Sequence, residues 1–455
     1  MESTHYAGAR ELAAAVAERR IGALELTDAA IARIDALDPE INAVVVRDFE
    51  RARAAAKALD AGNGSRGPLA GVPLTVKEAH NVAGLPTTWG MPPFRDWTAA
   101  QDSTAVRRLR EAGAVILGKT NVPPFLADWQ CSNPIYGRTS NPWDRSRTPG
   151  GSSGGGAAAL AAGLVALELG SDLAGSIRVP AAFCGVLGHK PSFGLVPMRG
   201  TAPPGVDGVP PPLAVVGPMA RRAGDLALAL EVLAGPGDEE AKAYRLELPA
   251  PRHARLAEFR VLILDRLPGV ALDDEIGAAI HDLGRGLAAR GVAVDASSRL
   301  PFELVPMLEC FGSMIGVVTS RGAPAEAAAL SAHGWMDVAD AQLAIRRQWA
   351  GLFRDFDVVL APVFGTVAFP HDDRDMGERT LRINGEDSPY GVQGAWSSLA
   401  SVANLPATAV PAGLSAAGLP MGVQIIGPYL EDRTTIAFAE LLEREFFGFE
   451  PPPGL

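Results

Sequence analysis

Apolar positions recur at intervals of three and four along the first sixty residues. ELAAAVAERR, TDAAIARIDAL and ERARAAAKALDAG all carry this spacing, which predicts helices through residues 6–60. Thr27 or Asp28 is the expected N-cap of the second helix, and Gly62 the expected stop of the last. From about residue 68 the period changes. GVPLTVKEAHNV contains the short unbroken apolar run of a buried strand, ending at Lys77. TAVRRLREAGAVILGKTN reads as helix, strand and loop, and a long loop rich in Asn, Pro and Ser follows. GGGAAALAAGLVALELGSD predicts a small-residue helix lying very close to a sheet, then a buried strand at VALEL. Further strands are expected at RVLIL, VAVDA, DVVLAPV, ATAVPAG and GVQIIG, with helices such as AGDLALALEVLAG and DDEIGAAIHDLGRGLAARG between them. This alternation predicts an α/β protein, a large mixed sheet covered by helices on both faces. The Pro-rich stretch 197–218 reads as a loop, because strand–helix texture resumes on both sides. The expected organisation is an N-terminal helical segment (1–62) packed on a single domain (63–455), with a helical region around 302–353.

Composition narrows the function. The 455 residues are 47% apolar, enough for a large core and too apolar for disorder. A net charge of −11 with no block of Lys and Arg argues against nucleic acid as partner. No signal peptide and no run of transmembrane length is read, so neither membrane attachment nor export is expected. Cys131, Cys184 and Cys310 are too few and too scattered for a disulfide framework, and a reducing cytoplasm is the expected location. The seven histidines form no metal motif, so no metal is expected.

The chemistry concentrates in TPGGSSGGG (148–156) and GSDLAGSIRVP (170–180). A flexible Gly-Ser linker is disfavoured because an Ala-rich helix follows at once. A phosphate loop is disfavoured because no lysine follows the glycines. A catalytic loop needs a nucleophile, a base and an oxyanion hole. His80 and His189 are nearby as bases, and a structural role serves His80 equally well. Lys77 closes an apolar strand, where burial would favour the neutral amine; a lysine snorkelling at a strand edge fits the spacing as well.

At this point the residues resemble a known family. GGSSGGGAAALAAGLVALELGSDLAGSIRVPAAFCGVLGHKPSFGLVP is similar to the amidase signature of the Ser-cisSer-Lys amidohydrolases, with 24 residues from Ser152 to Ser176 and 75 from Lys77 to Ser152. The resemblance extends over nearly the whole chain, through RIDALDPEINAVV, GVPLTVKEAHNVAGLPTTWG, GKTNVPPF, CSNPIYGRTSNPWD and NLPATAVPAG…GLPMGVQIIG. It implies the amidase signature fold, with Ser176 as nucleophile, Ser152 as relay, held by a cis peptide bond to its neighbour, and Lys77 as a neutral base. It implies an oxyanion hole from the backbone amides of Leu173, Ala174, Gly175 and Ser176. Family members more often have glycine where Ala174 stands, a mild departure unless φ there is positive. Ser153 would support the relay, and Asp172 with Arg178 reads as an ion pair holding the loop, with an ordinary surface pair as the alternative. Leu126 aligns with a position that touches substrate in fatty acid amide hydrolases, so 126–131 is expected to line the acyl side, with Ser152 also on the substrate path. Asp128 lies in the same segment without an assigned part. The 197–218 loop and the 302–353 helices are the expected pocket cover, with ordinary core packing the favoured reading for any one residue.

The resemblance implies a stand-alone hydrolase of small or aryl amides, working without cofactor as a monomer or homodimer, with carbamates and esters as further substrates. Two readings compete: the glutaminase component of a tRNA-dependent amidotransferase, and a degenerate scaffold without activity. The first needs a glutamine-recognition arginine motif late in the chain, of which RRQWAGLF (346–353) is a remote echo. The second would have lost Lys77, Ser152 or Ser176, and all three are present.

Overall fold

The computed structural model describes residues 4–62, 67–321 and 330–455. The first third carries α1 (Ala9–Ala17), α2 (Ala23–Ile41), β1 (Val44–Arg47), α3 (Phe49–Asp60), β2 (Pro73–Lys77), α4 (Thr104–Glu111), β3 (Val115–Thr120) and a small hairpin, β4 (Ser132–Asn133) with β5 (Gly137–Arg138). The middle carries α5 (Gly154–Ala161), β6 (Leu167–Asp172), α6 (Arg178–Cys184), β7 (Leu187–Lys190), β8 (Val215–Ala220), α7 (Ala223–Leu233), β9 (Arg260–Ile263), α8 (Asp274–Ala289) and β10 (Ala293–Asp295). The last part carries α9 (Val305–Thr319), α10 (Ala332–Leu352), β11 (Val358–Pro362), the hairpin β12 (Thr380–Ile383) and β13 (Glu386–Pro389), α11 (Gly394–Ser401), β14 (Ala407–Leu414), β15 (Pro420–Ile426) and α12 (Asp432–Glu445).

Eleven strands form one mixed sheet, in the order β1-β3-β2-β6-β8-β7-β14-β15-β11-β9-β10. β3, β2 and β6 run parallel, as do β11, β9 and β10, while the strands between pair antiparallel. Alternate residues serve opposite faces. Val358 and Leu360 of β11 join an apolar cluster with residues of α7, α8 and α12, whereas Val359 and Ala361 join one with residues of α9, α10 and α11. Both faces are therefore covered, which is why the central strands read as unbroken apolar runs. No helix among the described residues is long and apolar enough to cross a membrane.

Three local expectations are corrected. Residues 6–60 are not helical throughout: Val44–Arg47 pairs antiparallel with β3 at the sheet edge. The β-branched run VVV favours a strand once a partner edge exists. Neither Thr27 nor Asp28 caps α2, since both lie inside it; the helix begins after Gly22, and Asp60 accepts the Ala23 and Leu24 amides at 2.8 and 3.0 Å from 36–37 residues away. The Pro-rich loop stops short of 218, because Val215–Ala220 is a fully buried strand between β6 and β7. The strand end at Lys77 and the stop at Gly62, whose N–H bonds the Leu59 carbonyl at 3.0 Å, stand as expected.

Candidate active site

Leu74 and Val76 point into the apolar cluster on one face of β2, so Thr75 and Lys77 face the other side, where α5 packs. That helix lies unusually close. Every residue of α5 is buried, and a Cβ on Gly155 would drive into the Asn121 backbone, so only glycine permits the approach. The close fit sets the start of α5, and with it Ser152 and Ser153, over the C-terminal ends of β2 and β6. The peptide bond between Gly151 and Ser152 is cis.

Here the three residues singled out by the family resemblance converge. Lys77 Nζ donates to Ser152 Oγ at 2.7 Å and also lies 3.0 Å from Ser171 Oγ and 3.2 Å from the Ser171 carbonyl. Lys77 and Ser152 are both fully buried, while Ser176 is 9% exposed, so Ser176 offers the group a route to solvent. Ser153 ties the two loops together, its N–H donating to the Ser176 carbonyl at 3.0 Å. Burial lowers the Lys77 pKa to about 7, partly offset by the negative charge of Asp172 and the nearby Glu168. A lysine held there supplies a neutral amine near neutral pH, and the snorkelling alternative does not apply.

The loop from Leu173 to Ser176 is built around Asp172. Its carboxylate accepts the Gly175 N–H at 2.9 Å, the Ile177 N–H at 3.0 Å and the Arg178 guanidinium at 3.0–3.1 Å. Burial alone would raise the Asp172 pKa, but the charge and hydrogen bonds of Arg178 and the Ile177 amide hold it well below the usual carboxylate range. The Asp172–Arg178 pair is wholly buried, not a surface pair, and Arg178 is completed by Gln424 Oε1, Ser401 Oγ and the Ser397 carbonyl at 2.8–3.1 Å. Because the Gly175 N–H is committed to Asp172, the expected four amides narrow to those of Leu173, Ala174 and Ser176, which have no partner among the described residues. Ala174 is not among the residues with positive φ, whereas Gly175 has φ +96, so the alanine sits without strain.

Both histidines are structural. His80 is buried between Thr201 Oγ1 (2.9 Å) and the Gly170 carbonyl (3.3 Å), and burial with the nearby Lys77 and Lys119 lowers its pKa to about 3. His189 sits between Thr408 Oγ1 (2.9 Å) and Asp432 Oδ1 (3.1 Å).

The 126–131 segment lies against the serine turn: a Cβ on Gly151 would strike the carbonyls of Asp128 and Gln130. Leu126, half-buried with φ 61, stands at the outer end beside Phe125, which is 52% exposed. Asp128 gains a clear part: it pairs with Arg379 (2.7 Å) and accepts from Tyr390 Oη (2.7 Å), fastening the β12–β13 region to this turn. Met307, Cys310, Phe311, Met314 and Trp349 of the expected cover are core residues individually, yet Leu173 and Ala174 pack against the cluster they form with Leu213. Residues 322–329 of that cover lie outside the described residues. Arg346 and Arg347 of the RRQWAGLF stretch lie on α10, and Arg346 stacks 4.9 Å over Tyr429.

Sequence reasoning missed Glu168. It is buried beneath Lys77 and accepts from Thr75 Oγ1 (2.5 Å) and Thr120 Oγ1 (2.6 Å); burial raises its pKa to about 7. The signal was there, a single glutamate inside the apolar run VALEL.

The amidase family model matches residues 25–311 and 307–436. Among curated proteins, a glutamyl-tRNA(Gln) amidotransferase subunit from Anaeromyxobacter sp. (strain K) is 36% identical over 98% of this chain and 97% of its own length. Fatty-acid amide hydrolase 2 of Homo sapiens is 32% identical over 97% of this chain and 89% of its own. Among solved structures, a bacterial aryl acylamidase of the amidase signature enzymes superposes with a TM-score of 0.84 at 28% identity, covering 99% of both chains.

Proposed function

This chain belongs to the amidase family, the amidase-signature hydrolases of C–N bonds, and on that premise we propose that it hydrolyses small or aryl amides on its own, through an acyl-enzyme on Ser176. The observation that carries the reading is the 2.7 Å contact between a buried lysine with a pKa of about 7 and the Ser152 hydroxyl, placed beside the partly exposed Ser176.

In the proposed reaction Ser176 Oγ attacks the amide carbon, its proton passes to Ser152 Oγ, and the Ser152 proton passes to Lys77 Nζ. The negative oxygen that forms is received by the amides of Ala174 and Ser176, with Leu173 adjacent. The path then reverses. Ser152 protonates the leaving nitrogen and is reprotonated by Lys77, the amine departs, and water releases the acyl group by the same relay. Protonation of the leaving group is what an amide requires and an activated ester does not. Leu126 and its segment are assigned to the acyl side.

The apolar cluster behind Leu173 and Ala174 favours aromatic or aliphatic groups over charged ones. Carbamates present the same trigonal carbonyl and are assigned as secondary substrates. The similarity to the glutamyl-tRNA(Gln) amidotransferase relatives supports a second reading, glutamine hydrolysis within a larger assembly. Anilide and free glutamine hydrolysis by the isolated chain in EDTA separates the two. The proposal expects turnover of the anilide without metal, nucleotide, tRNA or further protein chains. Preference for glutamine, or activity only with further chains added, contradicts it.

A further inference from the structure

The peptide between Ala174 and Gly175 is gripped at both ends. Its N–H donates to Asp172 Oδ1 at 2.9 Å, and its carbonyl accepts from the indole Nε1–H of Trp129 at 2.9 Å. A peptide unit is planar, so fixing its oxygen and its hydrogen in opposite directions fixes the rotation of the whole plane. The amides on either side of that plane, those of Ala174 and Ser176, have no partner among the described residues and are assigned to the oxyanion. Gly175, at φ +96, is the pliable joint in this stretch; its own carbonyl accepts the Val179 N–H at 2.7 Å on the Ser176 side, and the hold on the Ala174 side falls to Asp172 and Trp129.

Trp129 is itself held. Its ring packs against Phe364 (5.3 Å, 72°) and Tyr390 (5.2 Å, 59°), and its backbone N–H donates to Tyr390 Oη at 3.2 Å. The same Tyr390 hydroxyl donates to Asp128, which Arg379 neutralises. The indole is thus a rigid arm that reaches the nucleophile loop from the segment lying over the serine turn.

We propose that Trp129 is a positioning residue for the oxyanion hole: its indole N–H fixes the Ala174–Gly175 peptide and so the aim of the Ala174 and Ser176 amides. The proposal rests on the reading of Ser176 as nucleophile. A tryptophan that merely lined the acyl pocket would act on substrate affinity, and one that merely filled space would act on stability.

The test is Trp129→Phe, which keeps an apolar ring and deletes the donor, beside the indole isostere benzothienylalanine installed at position 129, which keeps the shape as well. Both are expected to lower kcat on an anilide by roughly tenfold, a fraction of what losing a direct oxyanion donor costs, with KM within about twofold. Both are expected to raise the inhibition constant of a trifluoromethyl ketone, whose serine adduct carries the same oxyanion, by the same factor as kcat falls. An isostere variant with parental kcat, or a rise in KM alone, overturns the proposal. If Ser176→Ala retains turnover, the nucleophile assignment fails first; an isostere that behaves like the parent, in an enzyme that Ser176→Ala silences, overturns the role of Trp129 alone.

Discussion

Two strands of the central sheet end in fully buried lysines, Lys77 on β2 and Lys190 on β7. Burial lowers both to a pKa of about 7, against the pull of neighbouring carboxylates. Around Lys190 stand a histidine, a serine and an aspartate, every ingredient of a hydrolytic site: Ser192 Oγ donates to Asp432 Oδ2 at 2.6 Å, and His189 reaches the other oxygen at 3.1 Å. Yet among the described residues Lys190 Nζ meets only the Pro191 carbonyl at 3.0 Å, which has no proton to give, and Ser192 is fully buried and also accepts the Leu430 N–H. Lys77 instead meets a hydroxyl, and its neighbour Ser176 opens to solvent. A lowered pKa and the right residue types do not define a site. A transferable proton on the partner and a route to the surface do.

The variants that break this contrast are ranked by expected effect. Ser176→Ala is expected to lower anilide turnover on the order of 10⁴-fold or more while leaving the thermal midpoint near that of the parent, because it deletes the covalent step. Lys77→Ala is expected to cost on the order of 10²–10⁴-fold on an anilide and far less on a p-nitrophenyl ester, whose leaving group needs no proton. The pH profile carries the same claim. The working form of Lys77 is the neutral amine, so kcat/KM is present above its pKa of about 7 and falls as the pH drops below it. A flat profile from pH 8 to 5.5 would contradict the assignment. Ser153→Ala is expected to stay within about fivefold of the parent, since among the described residues the Ser153 hydroxyl makes only the 3.3 and 3.5 Å contacts to the Ser171 backbone and stands outside the relay. Lys190→Met sharpens the comparison with the smallest effect, anilide turnover within about threefold, because its amine touches no proton carrier among the described residues.

Where the sequence was legible, local pattern and tertiary structure agreed. VPLTVK is one strand of buried residues ending at its lysine, DDEIGAAIHDLGRGLAARG is one helix, and the small-residue run after Ser153 is the close-packed helix it promised. What stayed hidden depended on distant partners. The strand in INAVVVRD needs the edge of β3, the cap of α2 comes from Asp60, and β8 is buried by its neighbours although proline-rich sequence surrounds it. The same holds at the site. Lys77, Ser152 and Ser176 were visible through the resemblance of their motifs to the amidase signature, and Asp172 with Arg178 through their place beside Ser176. Trp129 acts across 45 residues through one N–H, and Glu168 through two threonines on other strands, relations that no local spacing encodes.

The central claim is that one serine among several buried beside lysines is the nucleophile. Treating the purified chain with a serine-reactive phosphonate and mapping the adduct by mass spectrometry of its peptides tests this most directly. The account predicts a single adduct on Ser176, absent in Ser176→Ala and slowed in Lys77→Ala. An adduct on Ser152, Ser153 or Ser192 would contradict it.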